Sequence, residues 1–247
     1  MIHPLNPPNG GLKILSSILF SLSPPNGGLE GRSIMNNFAS GLKHEILKGL
    51  PGTDIQWQMV SSDRLLKNFP RSPGKDAQIA AVLILLYPYN GSIYTVLIQR
   101  PDYEGVHGGQ ISFPGGKKEP EDENMIQTAL RETYEETGVD PTAVNIIGTL
   151  TPLYIPVSNM IVTPVVGWAN EKPPFRHKPE EVLFLIDADL GRLLEPSIVK
   201  IKPFEIRGEV LEVKYFDYET NTIWGATAMI LNELLIIIRK GGFFLRE

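Results

Sequence analysis

Residues 113–139 read FPGGKKEPEDENMIQTALRETYEETGV, and this stretch decides the fold. Its second part predicts a helix over Glu123–Thr137, because apolar residues recur at helical spacing and Gly138 stands where a left-handed residue ends a helix. The stripe that we expect to face the core consists of Ile126, Ala129, Leu130 and Thr133. The opposite face carries most of the charge, so the helix is predicted to cover the core from outside.

Three glutamates crowd the end of this predicted helix: Glu132, Glu135 and Glu136. Spacings of three and four residues place them on one face, where like charges destabilise a helix. They also lie near the helix C-terminus, where the helix dipole disfavours anions. A divalent cation among them would remove this conflict, and Mg²⁺ or Mn²⁺ prefers oxygen ligands. The pattern therefore indicates a metal site that polarises a phosphoryl oxygen and activates water.

The alternative interpretation is a solvated acidic helix face, in which Arg131 pairs with Glu135 four residues later. The glycine-rich segment before the helix favours the metal site instead. Glycines at 115 and 116 let the backbone approach a ligand closely, and a carbonyl group there can complete a metal shell.

Composition narrows the classes of function. The chain has 247 residues, 42% hydrophobic and 21% charged, as in ordinary globular proteins. The net charge of -5 and the lack of a Lys/Arg block argue against a nucleic-acid partner. No apolar run reaches the roughly 18–20 residues of a membrane span, and the run 14–22 is too short and serine-rich for a signal peptide. The absence of cysteine fits a reducing compartment, so we expect a cytoplasmic protein.

The first 34 residues differ from the rest of the chain. The motif PPNGGL occurs twice there, at 7–12 and 24–29, and proline and Asn-Gly both oppose regular structure. We interpret residues 1–34 as a disordered extension, or as upstream sequence included before a true start at Met35. Residues 35–247 are predicted to form a single domain.

The remaining segments predict a mixed sheet with helices on its faces. Helices are expected at Asn37–Leu50 and, fully buried, at Trp224–Arg239. Ala77–Tyr87 and Tyr94–Gln99 read as a hairpin around an Asn-Gly pair, and the first of these strands is apolar throughout, as expected for burial on both faces. Further strands are predicted at Val144–Leu150, Ile161–Trp168, Val182–Ile186 and Leu211–Phe216.

The segment Gly116–Val139 resembles the Nudix box, G-x5-E-x7-R-E-U-x-E-E-x-G-U, where U is a bulky aliphatic residue. The residues that match its spacing are Arg131, Glu132, Glu135, Glu136, Gly138 and Val139. Counted from Gly116, the first acidic position falls on Asp122, with one residue inserted before Arg131; counted back from Arg131, it falls on Glu123. Thr133 stands where an aliphatic residue is usual.

This resemblance implies a Nudix-like α/β/α sandwich and a metal-dependent diphosphatase that uses Mg²⁺ or Mn²⁺. It implies that Glu132, Glu135 and Glu136 bind metal or orient water, and that Arg131 orients a glutamate. The carbonyl group of Gly115 or Gly116 would join the metal ligands. Glu180 or Glu181 could add a ligand or a general base from another loop, the alternative being a solvated charge.

The loop 100–116 resembles the upstream signature of the coenzyme A pyrophosphatase branch of Nudix enzymes. The residues in register with that signature are Arg100, His107, Gly109, Gln110, Phe113, Pro114, Gly115 and Gly116. The stretches 179–182 and 223–228 resemble that branch as well. The resemblance implies cleavage of coenzyme A or acyl-CoA to adenosine 3',5'-bisphosphate and phosphopantetheine. The substrate would be bound by Arg100, His107, Gln110, Phe113, Gly115 and Lys117.

Departures from that signature leave the substrate open. Pro101, Glu104 and Gly105 replace residues common in the branch, including an arginine suited to pair with phosphate. The alternative is Nudix hydrolysis of another nucleoside diphosphate derivative, such as ADP-ribose, and a further one is a Nudix-like binding module without turnover. For Arg100 the alternative is a surface residue, and for His107 a structural hydrogen bond. The oligomeric state also stays open, with a homodimer as one alternative.

Overall fold

The computed structural model describes residues 29–60, 72–101, 108–206 and 209–243. The helices are α1 (Leu29–Lys48), α2 (Thr53–Trp57), α3 (Met125–Thr137), α4 (Leu190–Leu193) and α5 (Gly225–Gly241). The strands are β1 (Gln78–Tyr89), β2 (Ser92–Gln99), β3 (Ile111–Ser112), β4 (Gly115–Lys117), β5 (Asn145–Thr149), β6 (Leu153–Ile155), β7 (Met160–Trp168), β8 (Phe184–Asp189), β9 (Val199–Ile206), β10 (Glu209–Tyr218) and β11 (Asn221–Ile223). None of the helices in these ranges combines the length and the apolar character that a membrane crossing demands.

Eight of these strands form one mixed sheet, with β1 at its centre. One edge of β1 pairs in parallel with β7, and β7 pairs antiparallel with β5 and β6. The other edge of β1 pairs antiparallel with β2 and β4, and β2 continues to β3 and β8. Strands β9, β10 and β11 form a second, antiparallel sheet. The predicted mixed sheet is therefore confirmed.

The hairpin between β1 and β2 is also confirmed, with Tyr89 opposite Ser92. Both turn residues have left-handed backbone angles, with φ of 46° at Asn90 and 71° at Gly91. These angles suit the tight turn that Asn-Gly favours, because its twist matches the right-handed twist of the flanking strands.

Strand β1 is buried on both faces, as its apolar sequence predicts. Ala80, Ile84 and Leu86 belong to a core cluster that includes Leu42 of α1 and Leu234 of α5. The alternating residues pack in a second cluster with Ala129 of α3, and they are Ala81, Leu83, Leu85 and Tyr87. Helices therefore cover both faces of one sheet, which confirms the predicted α/β/α sandwich.

Helix α1 begins and ends earlier than the sequence pattern predicts. Phe38, Leu42 and Ile46 are buried at the predicted four-residue step, but the helix ends at Lys48 and Leu50 is 37% exposed. Residues 29–34, which the sequence assigns to the extension, form the first part of α1. Residues 1–28 lie outside the described residues, so the interpretation of that segment stays a prediction.

The sequence pattern does not predict β9, whose residues read VKIKPFEI. Two lysines and a proline in eight positions oppose a buried central strand. However, β9 lies at the edge of the small sheet and pairs only with β10 among the described strands, where a proline without an N–H group is tolerated. Strand pairing, rather than local preference, forms this element.

Candidate active site

The residues that flank α3 hold both of its ends. Asn124 caps the N-terminus, where its Oδ1 accepts hydrogen bonds from the N–H groups of Ile126 and Gln127 at 3.0 and 3.1 Å. The helix consequently begins at Met125, two residues later than predicted. Gly138 ends it with a left-handed φ of 71°, and the Gly138 N–H donates to the Tyr134 carbonyl at 2.8 Å. These caps fix the turn that carries the three glutamates.

Strand β4 places two glycines against the glutamates of α3. It pairs with β1 so that Gly116 lies opposite Ala81. A Cβ atom at Gly115 would lie 2.3 Å from the Ala81 carbonyl oxygen, and one at Gly116 would lie 2.3 Å from Glu132 Oε2. Both distances are shorter than any van der Waals contact. Glycine is therefore required at position 116 for the Glu132 carboxylate to pack directly against this strand.

Glu136 is the most buried of the three glutamates, with 7% of its surface exposed. Its Oε2 accepts a hydrogen bond from the Gly115 N–H at 2.8 Å, and its Oε1 lies 3.5 Å from Arg100 Nη2. Burial raises the pKa of Glu136 to about 7, although the Arg100 charge and the Gly115 N–H both act to lower it. The charges of Glu132 and Glu181 also act to raise this pKa.

Glu132 is partly buried beside Glu136, with 18% of its side chain exposed. Its Oε1 accepts a hydrogen bond from Arg131 Nη1 at 3.0 Å. Burial raises the pKa of Glu132, while the neighbouring Arg131 charge acts in the opposite direction. Two adjacent carboxylates that both resist ionisation create a position where a divalent cation would stabilise the charged forms.

Glu135 has a different environment from the other two. Its side chain is 47% exposed, and its Oε1 and Oε2 each lie 3.4 Å from Arg131 Nη1. Across the described ranges, no three Asp, Glu, His or Cys side chains stand close enough to form a ready metal shell. Glu132 and Glu136 thus converge on β4, whereas Glu135 makes the pairing with Arg131 that the acidic-face interpretation expects.

Arg131 is anchored by Asp122, a residue absent from the predicted set of site residues. Arg131 Nε and Nη2 donate to the two oxygens of Asp122 at 3.1 and 3.0 Å, and Nη2 also donates to the Lys117 carbonyl at 3.0 Å. Asp122 further accepts hydrogen bonds from the Glu119 N–H and the Thr128 hydroxyl group, both at 2.9 Å. The guanidinium group holds the pKa of Asp122 well below its usual range. This bidentate pair fixes the direction in which Arg131 reaches Glu132.

The Nudix box left two candidates for its acidic position, Asp122 and Glu123, and their contacts differ. Glu123 contacts Gln127, and it takes no part in the Arg131 network among the described contacts. Asp122 therefore occupies the acidic position, with one extra residue between it and Arg131. In the sequence, Asp122 was indicated by counting the residues of the box from Gly116.

Arg100 lies in the site and not on the outer surface, with 25% of its side chain exposed. Its Nε donates to the Ser112 hydroxyl at 3.1 Å, and its Nη2 donates to the Gly115 carbonyl at 2.9 Å. Together with the 3.5 Å approach to Glu136, these contacts connect the end of β2 to the carboxylates of α3.

Comparison with known proteins identifies the family. The model of the family described as the NUDIX domain matches residues 77–228. The chain belongs to the Nudix family. An uncharacterized Nudix hydrolase, NudL, of Yersinia enterocolitica is 35% identical over 178 residues, which cover 72% of this chain and 90% of the relative. The NudL protein of Yersinia pestis strain Pestoides F is 37% identical over 141 residues, covering 56% of this chain and 69% of the relative.

Solved structures of Nudix proteins resemble the chain at lower identity. A Nudix hydrolase from M. smegmatis, RenU, is 16% identical with a TM-score of 0.46, covering 66% of this chain and 86% of that one. The Nudix domain of Shewanella oneidensis NrtR, solved with ADP ribose, is 20% identical with a TM-score of 0.40, covering 54% and 86%. The family membership rests on the sequence comparisons. The protein is a Nudix hydrolase, an enzyme that cleaves a diphosphate bond in a nucleotide derivative.

The other predicted site residues of this Nudix hydrolase have different surroundings. Phe113 is 1% exposed and packs in the core cluster. Gln110 and Lys117 line a cavity whose wall also includes Gly115 and Gly116. Glu180 and Glu181 are exposed, and Glu181 pairs with Lys178 at 3.3 Å. The charge of Glu181 nevertheless influences the pKa of Glu136. His107, Glu104 and Gly105 lie outside the described residues.

Proposed function

We propose that this Nudix hydrolase cleaves coenzyme A or an acyl-CoA, with release of adenosine 3',5'-bisphosphate and phosphopantetheine or its acyl derivative. The observation that carries the proposal is the position of Arg100. This residue belongs to the loop that resembles the coenzyme A pyrophosphatase signature, and it contacts both Glu136 and the Gly115 carbonyl. The loop that carries the substrate signature is thereby joined to the carboxylates of the Nudix helix.

Mg²⁺ or Mn²⁺ is the cofactor that fits these residues. The proposed ligands are all oxygen donors, which these hard cations prefer: Glu132, Glu136, the Gly116 carbonyl and, after rotation away from Arg131, Glu135. The raised pKa values of Glu132 and Glu136 support the assignment, because a cation would offset the cost of burying two neighbouring charges. When bound, the metal supplies Lewis acidity toward a phosphoryl oxygen and lowers the pKa of a water molecule.

The side chains of the protein orient the reacting groups. Arg131, fixed by Asp122, holds Glu132 through Nη1. Glu135 is exposed enough to orient an attacking water, and Glu181 offers a further carboxylate from the segment before β8. Arg100 and Lys117 provide positive charge for the diphosphate oxygens, and Arg100 suits a bidentate contact.

A substrate panel tests the proposal. The purified protein is incubated with coenzyme A, an acyl-CoA or ADP-ribose in the presence of Mg²⁺ or Mn²⁺, and the products are identified by mass spectrometry. We expect adenosine 3',5'-bisphosphate from the first two substrates. Turnover of ADP-ribose without any product from coenzyme A would refute the assignment of the substrate.

A variant of Arg100 tests whether the contacts of this residue matter for the reaction with coenzyme A. We expect Arg100→Ala to lower kcat/KM for coenzyme A by about 10- to 100-fold, the scale of a lost hydrogen bond to a charged group. The matched control is Arg192→Ala, because Arg192 is 45% exposed and pairs with Glu219 on the surface. Equal kinetics of the two variants would contradict the role given to Arg100.

A further inference from the structure

An apolar cavity of about 410 Å³ lies beside the carboxylates. Part of the proposed substrate would occupy this cavity. Its wall includes Ile155, Met160, Val162, Ala226 and Ile230. Val162 and Ile230 belong to the core cluster on the face of the sheet opposite α3. The volume is in the range of small-molecule sites, which are apolar with a few polar groups.

The cavity shares part of its wall with the residues that contact the carboxylates. Arg100, Gly115 and Gly116 contribute to its wall. The same residues contact the glutamates, since Gly115 N–H donates to Glu136 and the Glu132 carboxylate lies on Gly116. A substrate whose diphosphate reaches Glu132 and Glu136 therefore has one of its two arms at the mouth of this cavity.

Resting on the proposed function, we propose that this cavity binds the aliphatic, amide-containing arm of the substrate. The wall is apolar along Met160, Val162 and Ile230, which suits an aliphatic chain. A nucleobase fits this wall less well, because Phe113 is the aromatic residue of the described lining and is only 1% exposed. Among the described lining residues the cations are Arg100 and Lys117, which suit the diphosphate.

A binding experiment separates the two arms of the substrate. Isothermal titration calorimetry in Mg²⁺ measures the affinity for phosphopantetheine, which contains the aliphatic arm, and for adenosine 3',5'-bisphosphate, which does not. In Ala226→Leu, which narrows the cavity, we expect at least tenfold weaker binding of phosphopantetheine and unchanged binding of the bisphosphate. The matched control is Ala143→Leu, at an exposed position outside the cavity wall. Selective loss of bisphosphate affinity, or no loss for either, would overturn the inference.

The two proposals fail in different ways. If the wild-type enzyme turns over no coenzyme A derivative, the proposed function is wrong, and the calorimetry still shows whether the cavity binds an aliphatic phosphate. If the enzyme cleaves coenzyme A but Ala226→Leu binds phosphopantetheine normally, the inference about the cavity alone is wrong.

Discussion

Two buried glutamates, Glu136 on α3 and Glu233 on α5, lie on opposite faces of the same sheet. Burial raises the pKa of both carboxyl groups. Glu233 is 0% exposed and accepts hydrogen bonds from the Gly52 N–H, the Gln56 amide and the Thr151 hydroxyl at 3.3, 2.8 and 2.5 Å. All of its partners are neutral and come from distant parts of the chain. Glu233 therefore ties α5 to α2 and to the connection between β5 and β6.

Glu136 is also buried, but its neighbours differ. It has one backbone donor, the Gly115 N–H, a guanidinium at 3.5 Å, and the charge of Glu132 beside it. A satisfied carboxylate stabilises a fold, whereas two adjacent carboxylates without enough donors need a cation. The comparison shows that burial alone does not distinguish the two carboxylates. The charge of a neighbouring glutamate does, and the following predictions test whether this property marks the active site.

The largest expected effect concerns activity. We expect Glu136→Gln to lower kcat by about a thousandfold, or about 4 kcal/mol of transition-state stabilisation, because the neutral amide is a poor metal ligand. Steady-state kinetics on the substrate found by the panel measures this effect. Glu123→Gln is the matched control at an exposed position just before the helix, and we expect it to retain full activity. Wild-type kinetics in Glu136→Gln would place the metal elsewhere.

The second effect concerns the pH dependence of stability without metal. The pKa of Glu136 is about 7 in the folded protein and has its ordinary value of 4.5 in the unfolded chain. As pH rises, the unfolded chain therefore loses this proton at a lower pH than the folded protein does. The free energy of unfolding should therefore fall between pH 4.5 and about 7, by up to about 3 kcal/mol from this group. Urea unfolding in EDTA across this range measures it. Glu136→Gln should remove this part of the slope, and an unchanged slope would refute the attribution.

The third effect concerns stabilisation by metal. Mg²⁺ binds only the folded protein in our proposal, so a hundredfold excess over Kd should add about 2.7 kcal/mol to the free energy of unfolding. Thermal unfolding with and without Mg²⁺ detects this as a rise in Tm. We expect the rise in the wild type and in Glu233→Gln, and its absence in Glu136→Gln. An equal rise in all three proteins would mean that the cation binds away from Glu136.

The smallest effect concerns Glu233 itself. In Glu233→Gln one oxygen becomes an NH₂ group, which faces donors instead of accepting from them, and this should cost about 1–3 kcal/mol of stability. Urea unfolding measures the loss, and kcat/KM should stay at the wild-type value. A loss of activity without a loss of stability would contradict a structural role for Glu233 that differs from the role of Glu136.

Much of the fold and part of the site follow from the sequence. The Asn-Gly hairpin, the apolar strand β1 and the end of α3 at Gly138 depend on local preferences that short segments carry. Strand β9 was not predicted, because its lysines and Pro203 match a strand only once β10 supplies a partner. The choice between Asp122 and Glu123 was equally open in the sequence, because a one-residue insertion in a loop shifts the count without changing the pattern.

The sequence by itself determined that Glu132, Glu135 and Glu136 share one helix face, since the helical repeat sets the distances between residues three and four apart. Only the tertiary structure decided that the carboxylates of Glu132 and Glu136 pack against β4. It also decided that Glu135 contacts Arg131 and that Arg100 reaches Glu136. Likewise, Glu233 is satisfied by Gly52, Gln56 and Thr151, which are far from it in the chain. Such contacts depend on strand register and on the packing of helices against the sheet, which no local spacing encodes.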